Sequence, residues 1–268
     1  MEFTILSGLR TSEYVHSLDK AGMDAVNSIP GFDSVSRFII ENSVEAYYNI
    51  LLKGSAIQLT NYNSPYILKI FEDVATVLDY KQELPSIFLT RGFNFANNIQ
   101  GYSHPIVILD SNCLEQLDEG QLRFIAGRCL GGIMAEHNKF EFFAWMINSI
   151  GNSVLPVVSS LATLPIGQWQ RKSHLSRDRA GLLASQSFES AIQVLMLTSG
   201  VPYGTEKDID YYEYLNQAID FQKTKGLEKL GRITMTLGKD DAWLIDRAAE
   251  LFRWYDLGEY DTIIMNHQ

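Results

Sequence analysis

The stretch from Cys113 to Ile133 reads CLEQLDEGQLRFIAGRCLGGI, and the six residues from Pro105 to Asp110 read PIVILD. The short β-branched run predicts a buried strand, and a helix is expected in the segment after it. Asp110 and Ser111 end the strand. The helix is expected over Glu119–His137, with Asp118 as its N-cap. Both Arg128 and Gly132 fall within it, one helical turn apart, so their side-chain positions share a face.

Upstream, residues 63–81 (NSPYILKIFEDVATVLDYK) predict a helix capped by Asn63 or Ser64. Pro65 sits in its tolerated first turn, and Ile67, Ile70, Phe71, Val74, Val77 and Leu78 form one apolar face. Ser86–Thr90 reads as a strand, and Gly92–Gln100 as irregular or edge-strand-like. Residues 35–53 show helical periodicity. Downstream, Arg171–Leu197 reads as one long helix, Pro202–Gly204 as a loop, and 207–224 and 239–254 as further helices. Many helices around one small sheet give an α+β class. The expected organisation is a single domain: an N-terminal helical extension over 1–60, a core over 60–200 and a C-terminal helical part over 201–268.

With 268 residues, 46% hydrophobic and 20% charged, the chain is long enough to bury a core without disulfides or a structural metal. Its net charge of −10 opposes sequence-independent nucleic-acid binding and docking on an anionic membrane. Cys113 and Cys129 make no disulfide framework. The N-terminus lacks a basic region followed by an apolar run, so a cytoplasmic location is expected. From Phe142 to Gln170 there is no charged residue. The asparagines, serines, prolines and glycines in this segment predict two short buried helices broken near Pro156, with membrane contact as the less favoured reading.

Several separate signatures recur in order between residues 60 and 263: the helix after Ser64–Pro65, the Asn94–Phe95–Ala96 turn, PIVILD, CLEQLDEGQLRFIAGRCLGGI, WQRKSHLSRDRAGL (Trp169–Leu182) and DDAWLIDRAAELFRWYDLGEYDTI (Asp240–Ile263). Together they resemble the HtpX-like zinc metallopeptidase family, relatives of the CAAX prenyl proteases. The resemblance implies a zincin-like fold. It also implies a zinc site with two histidines a helical turn apart, a glutamate as general base, and a third ligand from a later helix.

The residues at those positions are different. The first histidine falls on Arg128, the general base on Cys129, the second histidine on Gly132 and the third ligand on His174. The family's helix aspartate, which supports a zinc-binding histidine, falls on Asp178, and its His-Pro pair on Asp241 and Ala242. The resemblance therefore implies a pseudopeptidase with no zinc. Its former cleft is expected to bind a peptide or protein partner, such as an associated enzyme, along the Asn94–Phe95–Ala96 edge. Arg128 can neutralise a buried Asp178 in place of the metal, or it can snorkel to the surface. A different enzyme built on Cys129, His174 and Asp178 is the alternative, with Arg128 lowering the thiol pKa. A rebuilt metal site from His174 and Cys129 is the least favoured reading, and His137 lies too far along the helix from Cys129 to share an ion. His104 is expected in a loop, and His16 and His267 in disordered ends. Tyr211, Tyr212 and Tyr214 offer an interface or a packed helix face.

Overall fold

The computed structural model describes residues 3–41, 44–91, 97–111, 117–151, 156–202, 204–206, 208–223 and 244–267. It is mostly helical with one small mixed sheet of four strands, an α+β architecture. The strands are β1 (Ile57–Gln58), β2 (Ser86–Thr90), β3 (Asn97–Gln100) and β4 (Ile106–Asp110), in the order β1-β2-β4-β3. β2 and β4 run parallel in the centre, with Ile87 opposite Val107 and Leu89 opposite Leu109. β1 and β3 pair antiparallel at the two edges.

Alternation along the central strands divides the interior in two. Ile87, Val107, Leu109 and Ile99 enter one cluster, and Phe88 and Ile106 enter the other. The first cluster is built on α5 (Pro65–Val77), α6 (Glu119–Met134), the C-terminal half of α8 (Pro156–Ser185), α9 (Phe188–Thr198), α10 (Tyr211–Gln222), α11 (Leu244–Asp256) and α12 (Glu259–Asn266). The second joins α2 (Ser17–Asn27), α3 (Phe32–Glu41) and α4 (Val44–Ser55) to α7 (His137–Met146) and the N-terminal half of α8. A short helix α1 (Thr11–Tyr14) precedes α2.

α6 lies at the centre, with every residue from Gln121 to Ile133 buried. Asp118 caps it as expected: its carboxylate accepts from the Gln121 N–H, and the Gln121 side chain returns a bond to the Asp118 N–H. α6 crosses α8 closely because both carry small residues at the crossing. A Cβ on Gly131 would stand 2.1 Å from the Ala180 Cβ, and one on Gly127 2.3 Å from the Ala184 Cβ.

Three expectations about the helices change. The helix expected over Arg171–Leu197 is two: α8 stops at Ser185, Gln186 takes a left-handed φ of 46°, and Ser187 caps α9. The Gln186 side chain holds that turn by bonding both Thr4 N–H and Thr4 C=O. In the uncharged segment a new helix starts at Pro156, where the break is expected, but it is neither short nor wholly buried. α7 ends in a π-helical turn at Ile147–Gly151, while α8 begins at Pro156 and runs 30 residues through Pro165. Its outer face is exposed at Val157, Leu161 and Leu164. The periodicity over 35–53 resolves into α3 and α4. Among the described residues no helix is long and apolar enough to cross a membrane.

His16 and His267 are not in loose ends. His16 is buried and caps α2 through Nδ1, which accepts from Leu18 N–H. The His267 ring lies 2.9 Å from Ser7 O and 3.2 Å from Glu13. Cys113, Asn94, Phe95, Ala96, Asp241 and Ala242 lie outside the described residues.

Candidate functional site

Arg128 projects from the middle of α6 toward α8, where His174 and Asp178 stand one turn apart on the same face. Arg128 and Asp178 form an ion pair, and both are buried, at 2% and 1% exposure. The pairing expected for these two residues is thus formed, and the snorkelling alternative is not what the helix adopts. The sequence reading did not assign a partner on the other side of Asp178. Arg247 of α11 donates to it through two bonds of 2.8 Å, Nε to Oδ2 and Nη2 to Oδ1. This fork geometry is the strongest hydrogen-bonded arrangement open to a carboxylate. Arg247 lies in the Arg-Ala-Ala-Glu-Leu signature, so its position was visible in the sequence while its role was not.

The Arg128 Nη2 lies 3.2 Å from the His174 Nδ1. A guanidinium only donates, so Nδ1 accepts and the His174 proton sits on Nε2. Burial, followed by the charges of Arg247, Arg177, Arg128 and His137, holds the His174 pKa well below the usual histidine range. The imidazole retains some exposed surface, but its field is strongly cationic and keeps it neutral. Burial also lowers the Arg128 pKa, with Arg247 and Arg177 adding to the effect. The Asp178 carboxylate between Arg128 and Arg247 opposes that shift, and a guanidinium starts far enough above neutrality to remain charged.

Gly132, at the expected second-histidine position, faces filled space. A Cβ there would meet the Ile99 Cδ1 at 2.7 Å and the Arg177 Cγ at 3.2 Å. The Arg177 stem and the Ile99 side chain of edge strand β3 therefore occupy the volume in front of α6. Arg177 is 1% exposed and its Nη1 lies 3.8 Å from Glu141, whose other oxygen accepts from Gln170 at 2.8 Å.

Cys129 lies in the apolar cluster with no exposed surface. Burial pushes its thiol up to about 11, outweighing the lowering by Arg177 and Arg128. This speaks against the alternative of an activated thiol, since the lowering needs a solvated or paired thiolate and this sulfur has an apolar shell. Asp178 is occupied by guanidiniums and His174 faces one, so the described contacts do not form a Cys129–His174–Asp178 relay. Nor does the donor set suit a zinc ion. Arginine and glycine supply no ligand atom, and among the described residues no three His, Cys, Asp or Glu side chains converge as a metal-binding group.

A second polar network, absent from the sequence reading, joins the N-terminal helices to this core. The Asp19 carboxylate of α2 has no exposed surface. It accepts from Trp169 Nε1 at 3.0 Å and from the Ser176 hydroxyl, and it lies 3.0 Å from His137 Nε2. Serine and histidine both meet the central Asp, so the geometry is that of an anchor and not of a nucleophilic triad, in which histidine stands between the other two. Burial raises the Asp19 pKa, but the His137 charge and the hydrogen bonds from His137, Ser176 and Trp169 prevail and hold it below the usual value.

Comparison of the chain with family models, with curated proteins and with solved structures gives no match.

Proposed function

We propose that this chain is a non-proteolytic, zincin-like protein of the metallopeptidase-like type, in which an arginine–aspartate–arginine cluster takes the place of a metal centre. In this reading the former cleft binds a peptide or protein partner without cutting it. The observation that carries the proposal is Arg128, which sits where the resemblance puts the first zinc-binding histidine and is buried against Asp178. A buried carboxylate needs a compensating cation, and the guanidiniums of Arg128 and Arg247 supply that charge without Lewis acidity. At the position of the general base, Cys129 is buried in apolar surroundings that push its thiol pKa up, which speaks against its activating a hydrolytic water.

The edge strand β3 supports the partner half of the proposal. It closes one side of the sheet and packs against α6 and α7, and a sheet edge is the natural place for an extended peptide to add main-chain hydrogen bonds. The test combines two measurements on untagged protein. Metal content by plasma mass spectrometry, before and after incubation with zinc, is expected to stay near zero. Peptides recovered from a mixed library are expected to be intact by mass. Stoichiometric zinc, or recovered peptides with new termini, overturns the proposal.

A further inference from the structure

Within the arginine–aspartate cluster, Arg128, Arg177, Asp178 and Arg247 are buried, while His174 is partly exposed. The cluster orients its ring. Arg128 Nη2 stands 3.2 Å from Nδ1, and a guanidinium can only donate, so Nδ1 accepts and the proton is on Nε2. Nε2 has no hydrogen-bond partner among the described residues and is not shut off from solvent. One N–H of fixed tautomer is thus held outward. Behind it lie buried guanidiniums: Arg128 in contact, Arg177 one turn further along α8, and Arg247 on Asp178. Their field at the imidazole is cationic, since Arg247, Arg177 and Arg128 all act to lower its pKa.

We propose that the His174 Nε2–H anchors a carboxylate of the peptide that occupies the cleft, an inference that rests on the peptide-binding reading above. A neutral imidazole N–H bonds any acceptor. The guanidiniums behind it favour one that carries negative charge, and they act through a poorly screened interior. A single charge fits best. Arg128 and Arg247 are turned to Asp178, and Arg177 Nη1 lies 3.8 Å from Glu141. An arriving ligand therefore meets the imidazole N–H and not the buried guanidiniums. A phosphate dianion is recognised by several direct charged donors, whereas one N–H with a cationic field behind it suits a carboxylate. A chain of net charge −10 repels anions in general, so a carboxylate retained here is selected by this position. Its source is the C-terminus of the peptide or an Asp or Glu side chain.

The first test is magnetic resonance of the full chain labelled at its histidine nitrogens, at neutral pH, with the His174 ring assigned by its loss in His174→Asn. That ring should show a protonated Nε2 and an unprotonated Nδ1. Sodium acetate, compared with sodium chloride at equal ionic strength, should shift the His174 Nε2 signal saturably and leave the other histidines in place. The second test offers a library of short peptides with free and with amidated C-termini, each with and without Asp and Glu. Removing every carboxylate should lower retention at least about tenfold, and the single change that reproduces the loss names the source. His174→Asn, which keeps an acceptor for Arg128 but no outward donor, should show the same loss with the unmodified library. His174→Gln, whose amide N–H can take the Nε2 place, should retain most of the binding. An Nδ1-protonated or doubly protonated ring, a His174 signal indifferent to acetate, or a library held equally well without carboxylates overturns the proposal. Failure of the peptide-binding reading looks different: no peptide is retained, or peptides are cut, while acetate still moves the His174 signal.

Discussion

Asp178 is one carboxylate between two guanidiniums, and the asymmetry of that arrangement can be measured. Removing Arg128 leaves Asp178 its two bonds from Arg247, whereas removing the carboxylate leaves two buried cations facing one another. Breaking a buried pair costs about 3–5 kcal/mol. Asp178→Asn is therefore expected to destabilise by at least that much, and by more than Arg128→Met, in urea unfolding. Equal losses would mean that the two bonds from Arg247 are not the stronger half of the cluster. His174 gives a second, pH-resolved test. Its folded pKa lies well below the ordinary value of 6.5, so below 6.5 the unfolded chain binds a proton that the folded one refuses. The stability this neutral histidine preserves is complete above pH 6.5 and falls as pH drops below it, toward the folded pKa. His174→Asn should flatten that limb of the stability–pH curve while leaving the plateau above pH 7.5 within about 1 kcal/mol.

At the scale of the helices, the α6–α8 crossing depends on the missing side chains of Gly127 and Gly131. Gly131→Ala places a methyl 2.1 Å from the Ala180 Cβ, an overlap that two helix backbones can relieve only by separating. Overpacking of this kind costs about 1–3 kcal/mol, measurable by thermal unfolding. Ala180→Gly in the same chain should restore much of the loss, since it removes the atom that is struck. If it restores nothing, the damage lies elsewhere than in the crossing.

α6 is also where the sequence was most legible: its start at Asp118 and the buried strand before it were readable from capping chemistry and a β-branched run, although the helix stops at Met134 and not at His137 because Glu136 turns left-handed. Arg128 could be paired with Asp178 because their two positions belong to recognisable segments. Arg247, Asp19 and the stem of Arg177 were not readable as partners. They reach the site from elements 69 or more residues away, or by lying across a glycine, as Arg247 does to Asp178 and Asp19 to Trp169. The end of α8 was missed for a related reason. Gln186 is an ordinary helix former whose left-handed conformation is held by Thr4, 182 residues distant.

Across the whole molecule, carboxylates tie the first helices to the last. Glu250 of α11 is held at a pKa of about 2, first by the hydrogen bond from His16, with burial opposing and Arg253 assisting. Asp19 is likewise held below 3.8. Both are depressed carboxylates, so the stability they contribute is complete above the unfolded values of 4.5 and 3.8. It is lost as pH falls below them toward the folded values. Acid unfolding below about pH 4.5 should therefore begin with separation of α2 from α8 and α11, followed by Trp169 fluorescence as its indole loses Asp19. Asp19→Asn should remove much of that pH dependence and lower the stability at neutral pH.

The same network has a consequence in time. Tyr14, His16 and Asp19 have as partners Gly131, His137, Trp169, Ser176 and Glu250. At a translation rate of about 5–20 residues per second, the N-terminal segment waits on the order of ten seconds or more before its last partner is made. During that interval Leu6, Leu9 and Tyr14, all destined for the core, are covered only in stages as their partner elements emerge. The final native contacts therefore form after synthesis of α11, and until then the nascent chain presents an apolar segment that a chaperone can hold.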